Sequence, residues 1–144
     1  MLVKTYCAAV NGMEVTTVTV EVSITRGVMY HLTGLADVAV KESHDRIAAA
    51  LLNNGYQFPV ADITANLAPA DLRKEGSSFD LPLAIAILGA TEKIASDHLD
   101  KYMLVGELSL DGTLQPIKGA LPIAIKARAG KFKGLIVPKA NEHE

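Results

Sequence analysis

Residues 69–90 read PADLRKEGSSFDLPLAIAILGA, and the change of character within them decides the fold. The first part is a polar loop with charges at Asp71, Arg73, Lys74, Glu75 and Asp80. The rest, from Leu81, is apolar all round, which places a helix at the centre of the protein with cover on every side. Pro82 fits only the first turn of that helix, where its missing N–H costs nothing. Ser78 or Asp80 is the expected cap.

The flanking sequence supplies strands. Residues 3–10 are apolar and β-prone, and Asn11-Gly12 gives a hairpin turn. In residues 15–24, Val18, Val20, Val22 and Ile24 point one way while Thr17, Thr19, Glu21 and Ser23 point the other. That alternation is a half-buried strand of a sheet with one wet face. Gly27 breaks it, and residues 28–34 form a third strand. A helix over about residues 38–53 buries Ile47, Ala48, Leu51 and Leu52, pairs Glu42 with Arg46 on its solvent side and ends at Asn54-Gly55. Residues 60–67 alternate again.

Downstream, residues 102–108 read as a strand that turns at Asp111-Gly112 into a partner at 113–117. A helix from about 119 to 129 ends at Gly130, and 135–137 is a last short strand. The result is one α+β domain over residues 1–144, with a mixed sheet and few helices. Asn141, followed by Glu142 and Glu144, reads as the N-cap of an unfinished helix, so the chain is expected to be a fragment of something longer.

Composition narrows the class. A chain of 144 residues suits one domain, and 49% hydrophobic residues exclude a disordered charged tail. No apolar run reaches the roughly 18 residues of a membrane span, and the start lacks the layout of a secretory signal. One cysteine, Cys7, excludes an internal disulfide and a cysteine zinc cluster. A soluble, cytoplasmic setting without membrane contact is expected. The net charge of −2 conceals an asymmetry: residues 112–139 hold Lys118, Lys126, Arg128, Lys131, Lys133 and Lys139 and no acid. Such a run is either a phosphate footprint or a solvated helix face.

For chemistry, Ser78 stands out, because a serine at a helix N-terminus sits beside free backbone N–H groups that suit an oxyanion. The alternative is that Ser77, Ser78 and Asp80 simply cap the helix. Neither G-x-x-x-x-G-K-[ST] nor G-x-G-x-x-G occurs, so no nucleotide site is recognisable in this chain. His31, His44, His98 and His143 lack metal-ligand spacing. The seven Tyr and Phe residues offer little material for stacking bases.

Three stretches go further: KESHDR at 41–46 leading to Asn54-Gly55-Tyr56, NLAPADLRKEGSSFDLPLAIAIL at 66–88, and LVGELSLDGTLQPIKGAL at 104–121. Together they resemble the N-terminal domain of magnesium-chelatase-like AAA+ ATPases of the ComM/YifB type, over essentially the whole chain. That domain is similar to the proteolytic domain of Lon, which implies a fold like the second domain of ribosomal protein S5. The resemblance also implies that ATP, Mg²⁺ and hexameric assembly with neighbouring subunits belong to the AAA+ module of the full protein. No cofactor or metal is expected in this chain. DNA remodelling in recombination or transformation is the implied activity, with Lys118, Lys126, Arg128, Lys131 and Lys133 as candidate DNA contacts.

The Lon comparison puts Ser78 at the nucleophile position and Leu121 at the position of the general-base lysine. Leu121 cannot take a proton, so a non-catalytic accessory domain is expected. A Lon-type serine peptidase using Ser78, or a subunit of a metal-chelatase complex, is the alternative.

Overall fold

The alternating stretch becomes β2 (Glu14–Thr25), joined to β1 (Leu2–Asn11) by a two-residue turn at Gly12-Met13. Gly12 takes a φ of 64°, a backbone conformation that favours glycine. In the computed structural model, which describes residues 1–144, these two strands lie at the middle of a six-stranded mixed sheet. The other four are β3 (Tyr30–Thr33), β4 (Asp62–Ala68), β5 (Tyr102–Leu104) and β8 (Gly134–Ile136), in the order β3-β4-β2-β1-β5-β8. The β1–β2 and β2–β4 pairs are antiparallel, and the flanking pairs β3–β4, β1–β5 and β5–β8 are parallel. A separate hairpin pairs β6 (Glu107–Leu108) with β7 (Leu114–Gln115).

Register sets the two faces. Val3, Thr5 and Cys7 stand opposite Val22, Val20 and Val18, and Val20, Val22 and Ile24 stand opposite Leu67, Ala65 and Ile63. All are buried or nearly so. Against this face lies α3 (Asp80–Ala90), the apolar helix that the sequence places at the centre. Its Leu83 and Ile87 are fully buried, each contributing about 1.5–3 kcal/mol. Thr5 Oγ1 donates to the Pro82 carbonyl at 2.9 Å, which fixes the entry of α3 onto β1. The reverse face is the expected wet one only in part: Glu21 pairs with Lys4 at 3.9 Å and accepts from Asn66 at 3.0 Å, whereas Ala8 on the same face is buried. Phe132 brings the chain past α4 (Ala120–Ala129) onto Tyr6, with ring centroids 5.3 Å apart.

Several expectations are corrected. The helix expected over 38–53 breaks at Glu42 into α1 (Val38–Lys41) and α2 (Ser43–Asn53). Asp37 caps α1 by accepting from Val40 N–H at 2.8 Å. Leu52 is exposed, and Val40, Ile47, Ala50 and Leu51 form the buried stripe. The strand expected over 102–108 is interrupted after Leu104: Val105 N–H still reaches Ile136 of β8, but Gly106 N–H turns to the Ser78 carbonyl. Asn141 does not cap a helix; it is buried and clamps Ile117, accepting from its N–H and donating to its carbonyl, both at 2.9 Å.

The largest correction concerns Arg46 and Asp80. Arg46 does not pair with Glu42 at the surface but turns inward to Asp80. Its Nε reaches Oδ2 at 2.7 Å and its Nη2 reaches Oδ1 at 3.0 Å. Asp80 is fully buried and opens α3 without capping it; the cap residue is Phe79 and makes no side-chain bond. The carboxylate also accepts from Leu108 N–H at 3.0 Å, and Arg46 Nη2 donates to the Ala39 carbonyl at 2.7 Å. Burial pushes the Asp80 carboxyl above the usual range, against the pull of Arg46 and the Leu108 amide. Asp80→Ala is expected to cost about 3–5 kcal/mol in urea unfolding, because it leaves Arg46 without its partner. The double substitution Arg46→Met with Asp80→Leu recovers more than half of that loss.

Cys7 is sealed under α3, and burial pushes its thiol from 9.0 up to about 12. The folded chain therefore holds this proton longer than the unfolded one, so stability present below pH 9 is lost as pH rises toward 12. Cys7→Ala is expected to flatten the fall in unfolding free energy across that window, and an unchanged slope would contradict the assignment.

Candidate functional site

The loop before α3 is held in place by a residue that the sequence reading passed over. Lys74 is fully buried, and its ammonium donates to the carbonyls of Gly34, at 2.8 Å, and Pro69. Its backbone continues the link: Lys74 N–H donates to Leu35 and its carbonyl accepts from Asp37, at 2.9 and 3.0 Å. Asp37 closes the arrangement by accepting from Gly76 N–H at 3.2 Å. Burial lowers the Lys74 ammonium below its ordinary value, with Asp71 opposing. Gly34 has to be glycine, since its φ is 109° and a Cβ there would stand 2.2 Å from the Leu67 carbonyl oxygen. The sequence signal for Lys74 is faint: a lysine between Arg73 and Glu75 reads as one more surface charge.

That scaffold forms one wall of a cleft of about 640 Å³. The wall runs from Arg73 to Phe79, the floor is the end of β1 from Ala8 to Asn11, and Pro116, Ile117 and Lys118 face the loop with Ile123 of α4. Ser78 lies on this cleft. Its carbonyl accepts from Gly106 N–H at 3.0 Å and faces the Cys7 thiol at 3.8 Å. Ser77 donates to Glu107. The helix amides expected to stand free for an oxyanion are partly engaged: Asp80 N–H binds the Ser77 carbonyl at 3.2 Å, and Leu81 N–H binds Gly106 at 3.1 Å.

Leu121 is 55% exposed on α4 and is not among the residues that line the cleft. The lysine that does share the cleft with Ser78 is Lys118, just ahead of Gly119, whose φ of 81° starts α4.

The other basic residues lie elsewhere. Lys126 and Arg128 occupy the last turn of α4, where positive charge complements the helix dipole. Lys131 and Lys133 border a shallow groove with Lys101, Asp100, Tyr6 and Phe132. Lys118 is separated from them by the length of α4, roughly 15 Å. The basic run of the sequence is therefore two surfaces. His44 meets Tyr30 and Phe58 edge-on, with centroids 4.7 Å from each, while His143 lies beside Glu142. No helix is long and apolar enough to cross a membrane.

Comparison with known proteins agrees with the fold. A family model described as subunit ChlI of Mg-chelatase matches residues 20–141. The chain is 46% identical over 134 residues to YifB of Escherichia coli (strain K12), covering 92% of this chain and 26% of that protein. It is 41% identical over 140 residues to the competence protein ComM of Haemophilus influenzae, covering 96% and 27%. It is 29% identical over 102 residues to Lon protease 2 of Bacillus subtilis, covering 71% and 18%. The chain spans about a quarter of the length of YifB and ComM.

Lys74→Met is expected to cost about 1–3 kcal/mol, because two buried carbonyls lose their donor. The loss should appear first as faster hydrogen exchange at Gly76 and Asp37, whose amides hold the loop. Uniform loss of protection across the sheet would contradict a local role.

Proposed function

The chain belongs to the family of magnesium-chelatase ChlI subunits, and we propose that it acts as a non-catalytic accessory domain of a larger AAA+ ATPase that remodels DNA. The observation that carries this reading is the identity to the competence protein ComM over 96% of the chain, without a phosphate-binding loop in these residues. In the full protein, ATP and Mg²⁺ are held by the AAA+ module, and this domain contacts that module and its neighbours in a hexamer. DNA meets the surface formed by Lys126, Arg128, Lys131 and Lys133. These residues are exposed or half-buried, and none is in a salt bridge. A ring of such domains multiplies a weak phosphate attraction into a useful one. The cytoplasm, where DNA and ATP are both present, is the setting this requires.

A Lon-type peptidase is the second reading, and one observation favours it: Ser78 and Lys118 line the same cleft. It requires the Lys118 amine to reach Ser78 Oγ as a general base. The residue at the family's base position, Leu121, weighs against it. A chelatase role has only the family's description behind it.

The isolated chain is expected to bind duplex DNA weakly in filter binding at low salt, with affinity falling steeply as salt rises. Lys131→Glu with Lys133→Glu abolishes that binding, whereas Ser78→Ala leaves it unchanged. Tight, salt-insensitive binding, or degradation of casein that Ser78→Ala removes, would overturn the reading.

A further inference from the structure

The fold gathers three lysines from separate stretches around one groove of about 490 Å³. Lys133 N–H donates to the Lys101 carbonyl at 2.7 Å, where β8 runs in beside β5, and this sets the two residues side by side. Lys131 comes from the end of α4. The last turn there closes through Lys131 N–H to the Arg128 carbonyl and Phe132 N–H to the Ala127 carbonyl, both at 3.1 Å. All three lysines are exposed, and none is in an ion pair. Lys101 lies outside the basic run of the sequence, and only the fold adds it. Lys126 and Arg128, which belong to that run, do not line the groove.

The groove also has an apolar part. Phe132 stands between Lys131 and Lys133 in the chain, and its ring meets Tyr6 with centroids 5.3 Å apart and a tilt of 58°. Both rings are half-buried and line the groove. Gly130 keeps the space beside them free, since a Cβ there would stand 3.0 Å from Phe132 Cε2. Asp100 is the one carboxylate on the groove, and on the far side of Tyr6 it shares a second depression with Asp97 and Lys4. Three cations against one acid attract an anion to the lysine side, and the two aspartates turn it away from the other.

We propose that this groove binds a single DNA strand, with phosphates against Lys101, Lys131 and Lys133 and an unpaired base stacked on the Tyr6–Phe132 pair. The inference rests on the reading that the basic surface meets DNA, and it assigns that surface a site and a form of ligand. A duplex offers its phosphates to the lysines but keeps its base faces stacked on one another, so the rings gain nothing from it. An unpaired strand engages lysines and rings together. Free phosphate engages the lysines alone.

Fluorescence anisotropy at low salt tests this with a short labelled oligothymidylate, an abasic strand of the same length and a duplex of the same length. The oligothymidylate is expected to bind about tenfold more tightly than either of the others, with thymidine monophosphate a weak competitor. Lys101→Glu weakens its binding about tenfold and Asp100→Asn tightens it about threefold, opposite signs that a general loss of structure does not produce. Lys131 takes a φ of 61°, a conformation that favours glycine, so Lys131→Gly removes the charge while relaxing the backbone. Weaker binding by this variant, with a urea midpoint no lower, separates the site from the stability of the fold. Three results would each overturn the groove: an abasic strand bound as well as the oligothymidylate, full binding by Lys101→Glu, or thymidine monophosphate competing as well as the strand. Duplex binding that persists in those cases leaves the wider DNA reading standing, whereas a chain that binds none of the three ligands overturns both.

Discussion

The pairing of Arg46 with Asp80 is the constraint from which the arrangement of helices and cleft follows. A carboxylate fully removed from water at the start of the central helix is tolerated only with a partner of fixed geometry, and Arg46 supplies a two-pronged one from α2. The same carboxylate takes the Leu108 amide, so α2, α3 and the β6–β7 hairpin share one polar centre within an apolar interior. Ser77, Ser78 and Phe79 precede Asp80, and Glu107 precedes Leu108. The pair thus sets both the loop wall of the cleft and the glutamate that receives Ser77.

Lys74 provides the second buried charge, and it acts differently. It meets neutral carbonyls rather than a carboxylate, fastening the loop to the turn at Gly34 and the residues that lead into α1. Between them, the two groups hold the segment 73–80 at both ends. A loop so fixed is suited to presenting a surface and has little freedom to close over a reacting substrate. The basic surface beyond α4 lies apart from all of this.

Much of the fold was legible because its cause is local. Strict alternation in residues 15–24, apolar cover all round residues 81–90 and glycine at the turns each dictate one element whatever surrounds them. What was not legible depended on distant partners. Arg46 lies four residues after Glu42, and that spacing suits a surface pair; only the fold brings Asp80 close enough to compete. Asp80 and Ser78 look like caps because caps are their commonest use, and Asn141 has the same appearance. Each polar side chain is instead taken by a backbone or charged group far along the chain, or left to line the cleft. Ser78 stands out in the sequence, whereas the presence of Lys118 on the same cleft depends on the turn at Gly119 and does not.

The most direct test of this account measures whether Asp80 holds the cleft together locally. Asp80→Asn keeps the side chain's shape and removes its charge, and hydrogen exchange then reports each amide separately. The account predicts that Leu108 and Gly106 lose protection while the β1–β2 ladder keeps its own. Protection unchanged at Leu108, or lost equally across the whole sheet, would contradict it.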